Sequence, residues 1–218
     1  MQLARGAAKY AIVPALAIVP GFLVTPAFGV VAALVTGFVV WFFRDPDRRP
    51  PPTGVVSPAD GKVSVIREEA TDDGETRLRV GVFMNVHDVH VNRAPVDGPV
   101  ERVEHVPGAH RPAFSKDSDR NERVHVDLPE YRVTLIAGAF ARRITPYVED
   151  GDDLARGAKI GHIAFGSRAD VLFPPGVDES DLAVEAGESV TAGETVLART
   201  DATAPSDNLL ADAPGSEG

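Results

Sequence analysis

Three short stretches hold residue types that could do chemistry. Ser57-Pro58-Ala59-Asp60-Gly61 sets one carboxylate in an Asp-Gly turn, which on its own is ordinary turn chemistry. Asn85-Val86-His87-Asp88-Val89-His90-Val91-Asn92-Arg93 carries two histidines, His87 and His90. They would share a face on a helical turn and oppose one another on a strand. A metal pair is one reading, but no third ligand follows at a helpful spacing. General acid/base work is the other, because imidazole titrates near neutrality. In Ile163-Ala164-Phe165-Gly166-Ser167-Arg168 a Gly-Ser bond joins two β-type runs; alone, it reads as a tight turn.

Composition narrows what these residues can do. The absence of cysteine excludes a disulfide scaffold, a thiolate zinc site and a cysteine nucleophile. Histidines and serines are the reactive inventory that remains. A formal net charge of −10, from 32 acidic and 22 basic residues, argues against a nucleic-acid partner. Lysine occurs only at Lys9, Lys62, Lys116 and Lys159. Such an acidic, lysine-poor surface stays hydrated in concentrated salt and fits a halophilic archaeon. An ordinary acidic protein from a GC-rich genome has the same balance.

At 218 residues the chain can fold one mid-sized domain with an accessory segment. Between Ala11 and Phe43 there is no charged residue, a run too long for one comfortable membrane helix. Pro14, Pro20 and Pro26 divide it, giving two expected apolar helices, about Tyr10–Val24 and Pro26–Phe43. Arg5 and Lys9 precede the run, and Arg44, Arg48 and Arg49 follow it. Basic flanks place both ends on the cytoplasmic side, so residues 1–44 read as a membrane-anchoring hairpin with Trp41 and Arg44 at the interface. A signal peptide and a buried core helix are the competing readings.

Asp45–Gly54 is a proline-rich, extended linker that would hold the rest off the bilayer. Residues 55–200 carry short alternating runs such as Lys62–Ile66, Arg77–Met84, Arg123–Leu128 and Arg132–Phe140. The expected fold is therefore mainly β, a barrel-sandwich or β-sandwich-like catalytic domain behind an N-terminal apolar helical membrane hairpin. Residues 201–218 read as an acidic flexible tail. Val55–Ile66 and Leu182–Thr200 have the texture of lipoyl- or biotin-carrier hairpins, but neither sets a lysine centrally in a turn, so they read as architecture.

Together, and in this order, SPADGKV, FMNVHDVHVNRAPVDGPV, the NER of Asn121–Arg123, IAGAFARRI and FGSR resemble the phosphatidylserine decarboxylase proenzymes in their short form. The likeness runs from about Arg44 to Thr200. It implies autocatalytic cleavage between Gly166 and Ser167, with Ser167 converted to a covalent pyruvoyl group and no metal. The resulting β and α chains would stay associated as a heterodimer. It also implies an Asp60–His90–Ser167 triad with His90 as base and Asp60 orienting it. Glycine at 166 suits a strained turn.

In the implied reaction, the serine head-group amine forms a Schiff base with the pyruvoyl ketone. Carbon dioxide leaves, and an ethanolamine phospholipid is released. His87 would handle protons in this stage, and Arg168 or Arg93 could pair with the lipid phosphate. The substrate would be phosphatidylserine or archaetidylserine in the cell membrane, with the catalytic domain on the cytoplasmic side. Sheet edges could carry a homo-oligomer. The rival readings are a metal-dependent hydrolase built on His87 and His90, and a membrane-tethered, non-catalytic barrel-sandwich protein.

Overall fold

The structure is a computed structural model that describes residues 2–71, 74–109, 120–138, 144–164 and 167–199. The expected tail, 201–218, and the Gly166 side of the expected cleavage bond lie outside the described residues. The chain opens with β1 (Gln2–Leu3), α1 (Ala8–Leu16), α2 (Ile18–Val24), α3 (Pro26–Phe42) and β2 (Arg44–Asp45). It continues with β3 (Val55–Val56), β4 (Gly61–Ala70), β5 (Thr76–Met84), β6 (Val91–Arg93), β7 (Gly98–Pro99) and β8 (Arg102–Val106). Then follow β9 (Arg123–Leu128), β10 (Tyr131–Ile136), β11 (Ile144–Pro146), β12 (Asp153–Leu154) and β13 (Lys159–Ile163). The last strands are β14 (Ser167–Leu172), β15 (Ser189–Val190) and β16 (Val196–Ala198).

One sheet dominates, in the order β15-β4-β5-β14-β10-β9-β8, and every pairing in it is antiparallel. Period-2 alternation sorts its side chains. Val124, Val126 and Leu128 of β9 enter the main core with Val133 and Leu135 of β10. Each fully buried side chain of this kind contributes roughly 1.5–3 kcal/mol. A smaller sheet, β11-β13-β6, lies alongside. Its Val91 joins Ala4, Ala7, Phe42, Phe43 and Val89 in a second core that ties the N-terminal segment to the β-domain.

The mainly-β expectation holds, but two parts of the expected fold are corrected. The end strands of the large sheet, β15 and β8, do not pair, so the sheet stays open and no barrel closes among the described residues. Nor do the apolar helices make a membrane hairpin: no described helix is long and apolar enough to cross a membrane. Pro14 lies inside α1, which stops at Leu16, and Ala17 separates it from α2. Thr25 caps α3 by accepting the Phe28 N–H at 3.3 Å, with Pro26 in the first turn. That helix has 17 residues, about 25 Å at 1.5 Å per residue, against a hydrocarbon core of roughly 30 Å.

The helices instead pack on each other closely. A Cβ on Gly29 would fall 2.3 Å from the Phe22 ring, so only glycine permits this approach of α2 to α3. Leu16, Leu23 and Leu34 remain exposed.

Candidate active site

Ser167 opens β14, the strand held between β5 and β10, and its backbone faces Met84. It is fully buried, and its hydroxyl lies 3.7 Å from the Met84 sulfur. Asn92 on β6 brings its Nδ2 within 3.6 Å of the same sulfur. The Pro58 carbonyl accepts from the Arg93 N–H at 2.9 Å and from Asn92 Nδ2 at 3.4 Å, which seats the Ser57–Gly61 turn on β6. At Gly61, φ is +143° and a Cβ would sit 2.0 Å from the Phe83 carbonyl, so the turn requires glycine. The three stretches singled out by their residue types thus meet around Met84.

His90 is 2% exposed, and its Nδ1 lies 2.9 Å from the Asp88 carbonyl. A carbonyl only accepts, so Nδ1 carries the proton and Nε2 presents a lone pair. That Nε2 is buried and has no hydrogen-bond partner among the described residues. The Phe42 ring covers the imidazole, with centroids 4.4 Å apart. Burial is the main force that lowers the His90 pKa to about 4; the bond and charge of Asp88 oppose it, and Arg44 and His162 reinforce it. His90 is therefore an uncharged base at neutral pH. Asn92 Oδ1 is likewise buried without a partner among the described residues.

The remaining expected site residues are placed as follows. Asp60 accepts both carboxylate bonds from Arg48, at 2.7 and 3.0 Å, and the Ala192 N–H at 2.8 Å. Burial pushes its carboxyl upward, while Ala192 and Arg48 pull the other way. The orienting bond expected of Asp60 is made to His90 by the Asp88 carbonyl instead. No hydrogen bond joins Ser167 to His90 among the described residues. His87 is exposed, its Nε2 3.6 Å from Asp88 Oδ1, and its carbonyl accepts from Arg44 at 2.6 Å. Arg168 is buried against Asp170 at 2.8 and 2.9 Å. Arg93 is buried against Asp45 at 3.0 Å.

Residue types in the sequence did not single out Tyr147 or His162. Tyr147 Oη accepts the Arg5 N–H at 2.9 Å and shares a hydrogen bond with His162 Nδ1, 2.8 Å away. Burial lowers the His162 pKa to about 4, helped by Lys9, and raises that of Tyr147 to about 12. The available signal was a histidine set in an apolar strand just before Ser167.

No cluster of three or more His, Asp or Glu able to hold a metal occurs among the described residues. A cavity of about 140 Å³ lined by Arg79, Arg123, His125 and Arg132 lies on the Asp170 face of the sheet, opposite Ser167.

The family model described as phosphatidylserine decarboxylase matches residues 35–198. The chain belongs to this family. A Halobacterium salinarum protein assigned provisionally as an archaetidylserine decarboxylase proenzyme is 62% identical over 199 residues, covering 90% of this chain and all of the relative. The phosphatidylserine decarboxylase proenzyme of Thermobifida fusca is 50% identical over 173 residues, 78% of this chain and 76% of its own. One from Streptomyces griseus is 48% identical over 171 residues, 77% and 76% of the two chains.

As a member of this family, the chain cleaves itself to make a covalent pyruvoyl group. It is a carboxy-lyase that converts a serine phospholipid to the ethanolamine phospholipid. Family membership also implies association with a membrane.

Proposed function

We propose that cleavage falls between Gly166 and Ser167, that Ser167 becomes the pyruvoyl group, and that His90 is the base. The observation that carries this reading is the buried lone pair of His90 Nε2, without a hydrogen-bond partner among the described residues, in the same site as a buried serine hydroxyl. His90 Nε2 and Asn92 Oδ1, both buried without a partner among the described residues, suit a site that must handle a proton and a newly formed polar group.

The Ser167 hydroxyl adds to the Gly166 carbonyl carbon as its proton passes to His90. The C–N bond then breaks, the freed amine takes that proton, and an ester remains. Loss of the Ser167 α-proton expels the Gly166 carboxylate and leaves dehydroalanine. Tautomerisation and attack by water release ammonia and leave the ketone. A pKa near 4 makes His90 a weak base, which a reaction performed once per chain tolerates.

The pyruvoyl ketone supplies an electron sink for the pair released as carbon dioxide departs. His87 would meet an incoming head group and return a proton, a role that its exposure beside Asp88 supports. Asp60 supports the site by fixing the Ser57–Gly61 turn through Arg48 and Ala192. A lipid phosphate reaching Arg168 or Arg93 would compete with Asp170 or Asp45. The Halobacterium relative and the acidic, lysine-poor composition support archaetidylserine as substrate. The exposed apolar helices with Arg5, Lys9 and Arg44 beside them support attachment at the cytoplasmic face.

Intact-mass analysis of the wild type and of Ser167→Ala tests the reading. The wild type gives two chains, the smaller beginning with a ketone, and the variant gives one uncut chain without decarboxylase activity. A Ser167→Ala chain that still cuts would refute it.

A further inference from the structure

The loop that carries His87 and His90 is gripped by the end of the apolar helical segment. Phe42, the last residue of α3, is fully buried, and its ring lies on that of His90 at 4.4 Å and 33°. Two residues on, Arg44 donates to the His87 carbonyl at 2.6 Å and to the Trp41 carbonyl at 3.0 Å. Phe43 turns its ring edge-on to His162, with centroids 6.0 Å apart.

This junction is tied down by polar contacts. The Ala4 N–H donates to the Phe43 carbonyl at 2.9 Å. β1 pairs with β2, the Arg5 N–H reaches Tyr147, and Asp45 pairs with Arg93. The helices beyond it leave much of their apolar surface exposed. The segment is therefore fixed to the β-domain at the place where Phe42 meets His90.

We infer that Phe42 is a positioning residue for self-cleavage: its ring holds the His90 imidazole in place and keeps water from it. This rests on His90 being the base. The charged and titratable groups facing His90 are Asp88 on its own loop, Arg44 after α3 and His162 on β13. Asp88 favours the protonated ring, the other two disfavour it, and burial outweighs all three. Without the Phe42 ring, His90 returns toward its ordinary value of 6.5. At pH 5.5 a full return would leave about one His90 in ten neutral, against nearly all in the wild type.

The test follows cleavage of the full chain after cell-free synthesis, chased at pH 7.5 and pH 5.5, with intact mass as the readout. Phe42→Ala is expected to cut more slowly at both values, with about tenfold additional slowing at pH 5.5. Phe42→Leu, which restores apolar cover without the ring, recovers most of the pH 5.5 loss. Phe43→Leu, a similar volume loss in the same core, leaves the pH dependence as in the wild type. In the uncut Ser167→Ala background, Phe42→Ala moves the NMR titration midpoint of His90 upward.

An unmoved midpoint together with a flat pH ratio in Phe42→Ala and Phe42→Leu overturns the role of Phe42. His90→Ala separates the two ideas. If it cuts at the wild-type rate, the assignment of the base fails and the Phe42 role with it. If it cuts slowly while Phe42→Ala shows no pH effect, only the Phe42 role fails.

Discussion

Arg48, from the proline-rich stretch after the helices, closes a two-bond pair on Asp60 at 2.7 and 3.0 Å. Its other arm reaches Glu194 at 3.2 Å, and the Arg49 N–H reaches the same carboxylate at 3.0 Å. The stretch expected to stand as a spacer is thus bound along the domain. Arg48→Ala leaves a mostly buried carboxylate unpaired, at a cost of about 3 kcal/mol. Urea unfolding of the uncut Ser167→Ala protein measures this, and adding Asp60→Asn is expected to restore part of the loss.

Asp60 itself separates two roles. If it fixes the turn and does not hydrogen-bond to His90, Asp60→Asn keeps the Ala192 bond and slows maturation less than Asp60→Ala. Pulse-chase with mass detection compares the two. Equal, severe loss in both would mean that the negative charge acts directly on the chemistry.

His87 divides the two reactions. Its side chain is exposed, whereas the self-cleavage groups are buried. His87→Ala is expected to mature within a few-fold of the wild type and to lose at least tenfold in turnover. Lipid decarboxylation assays on fully matured protein check this. Blocked maturation would place His87 in the first reaction instead.

How much of this was legible in the sequence depends on distance along the chain. Thr25-Pro26 announced the start of α3, and the valines of Arg123–Leu128 announced a half-buried strand. Asp60-Gly61 announced a turn. The ring of Phe42 on His90 and the Arg48–Asp60 pair are products of tertiary packing, which no local pattern encodes. The apolar stretch expected as one helix over Tyr10–Val24 also comes out shorter, because the break at Ala17 divides it into α1 and α2. An open sheet and a closed one share the same alternation, since closure is decided by whether the edges meet.

Acid is expected to destabilise the fold through two histidines. In the folded chain His90 and His162 titrate near about 4, below the ordinary 6.5. The unfolded chain binds protons first as pH falls, so this contribution to stability is complete above pH 6.5. It declines from there toward pH 4 and changes little below. By pH 5 the loss is roughly 2 kcal/mol for each histidine. Urea midpoints of the Ser167→Ala protein at pH 7.5 and 5 report it. A pH-independent midpoint would contradict the burial of both rings.

Asp170 anchors the strand that begins with Ser167. It is almost fully buried, taking Arg168 at 2.8 Å and Arg79 at 2.7 Å. Asp170→Ala removes the buried carboxylate shared by Arg168 and Arg79, of which Arg79 keeps Glu69 at 2.6 Å, and costs about 3 kcal/mol. Because the same strand sets Ser167, slower cleavage is expected to accompany the loss of stability, read by mass and urea titration together.

The piece that follows the proposed cut donates β14, β15 and β16 to four strands of the other piece: β14 slots between β5 and β10, β15 joins β4, and β16 joins β3. Among the described residues all three strands take their strand partners from the other piece, and β16 meets its own fragment at the Leu182–Ala198 bridge, so the fragment has little of its own sheet from which to assemble alone. The order of events is thereby fixed. The chain must reach its architecture first and be severed second, and a gene split at this bond would yield two orphans.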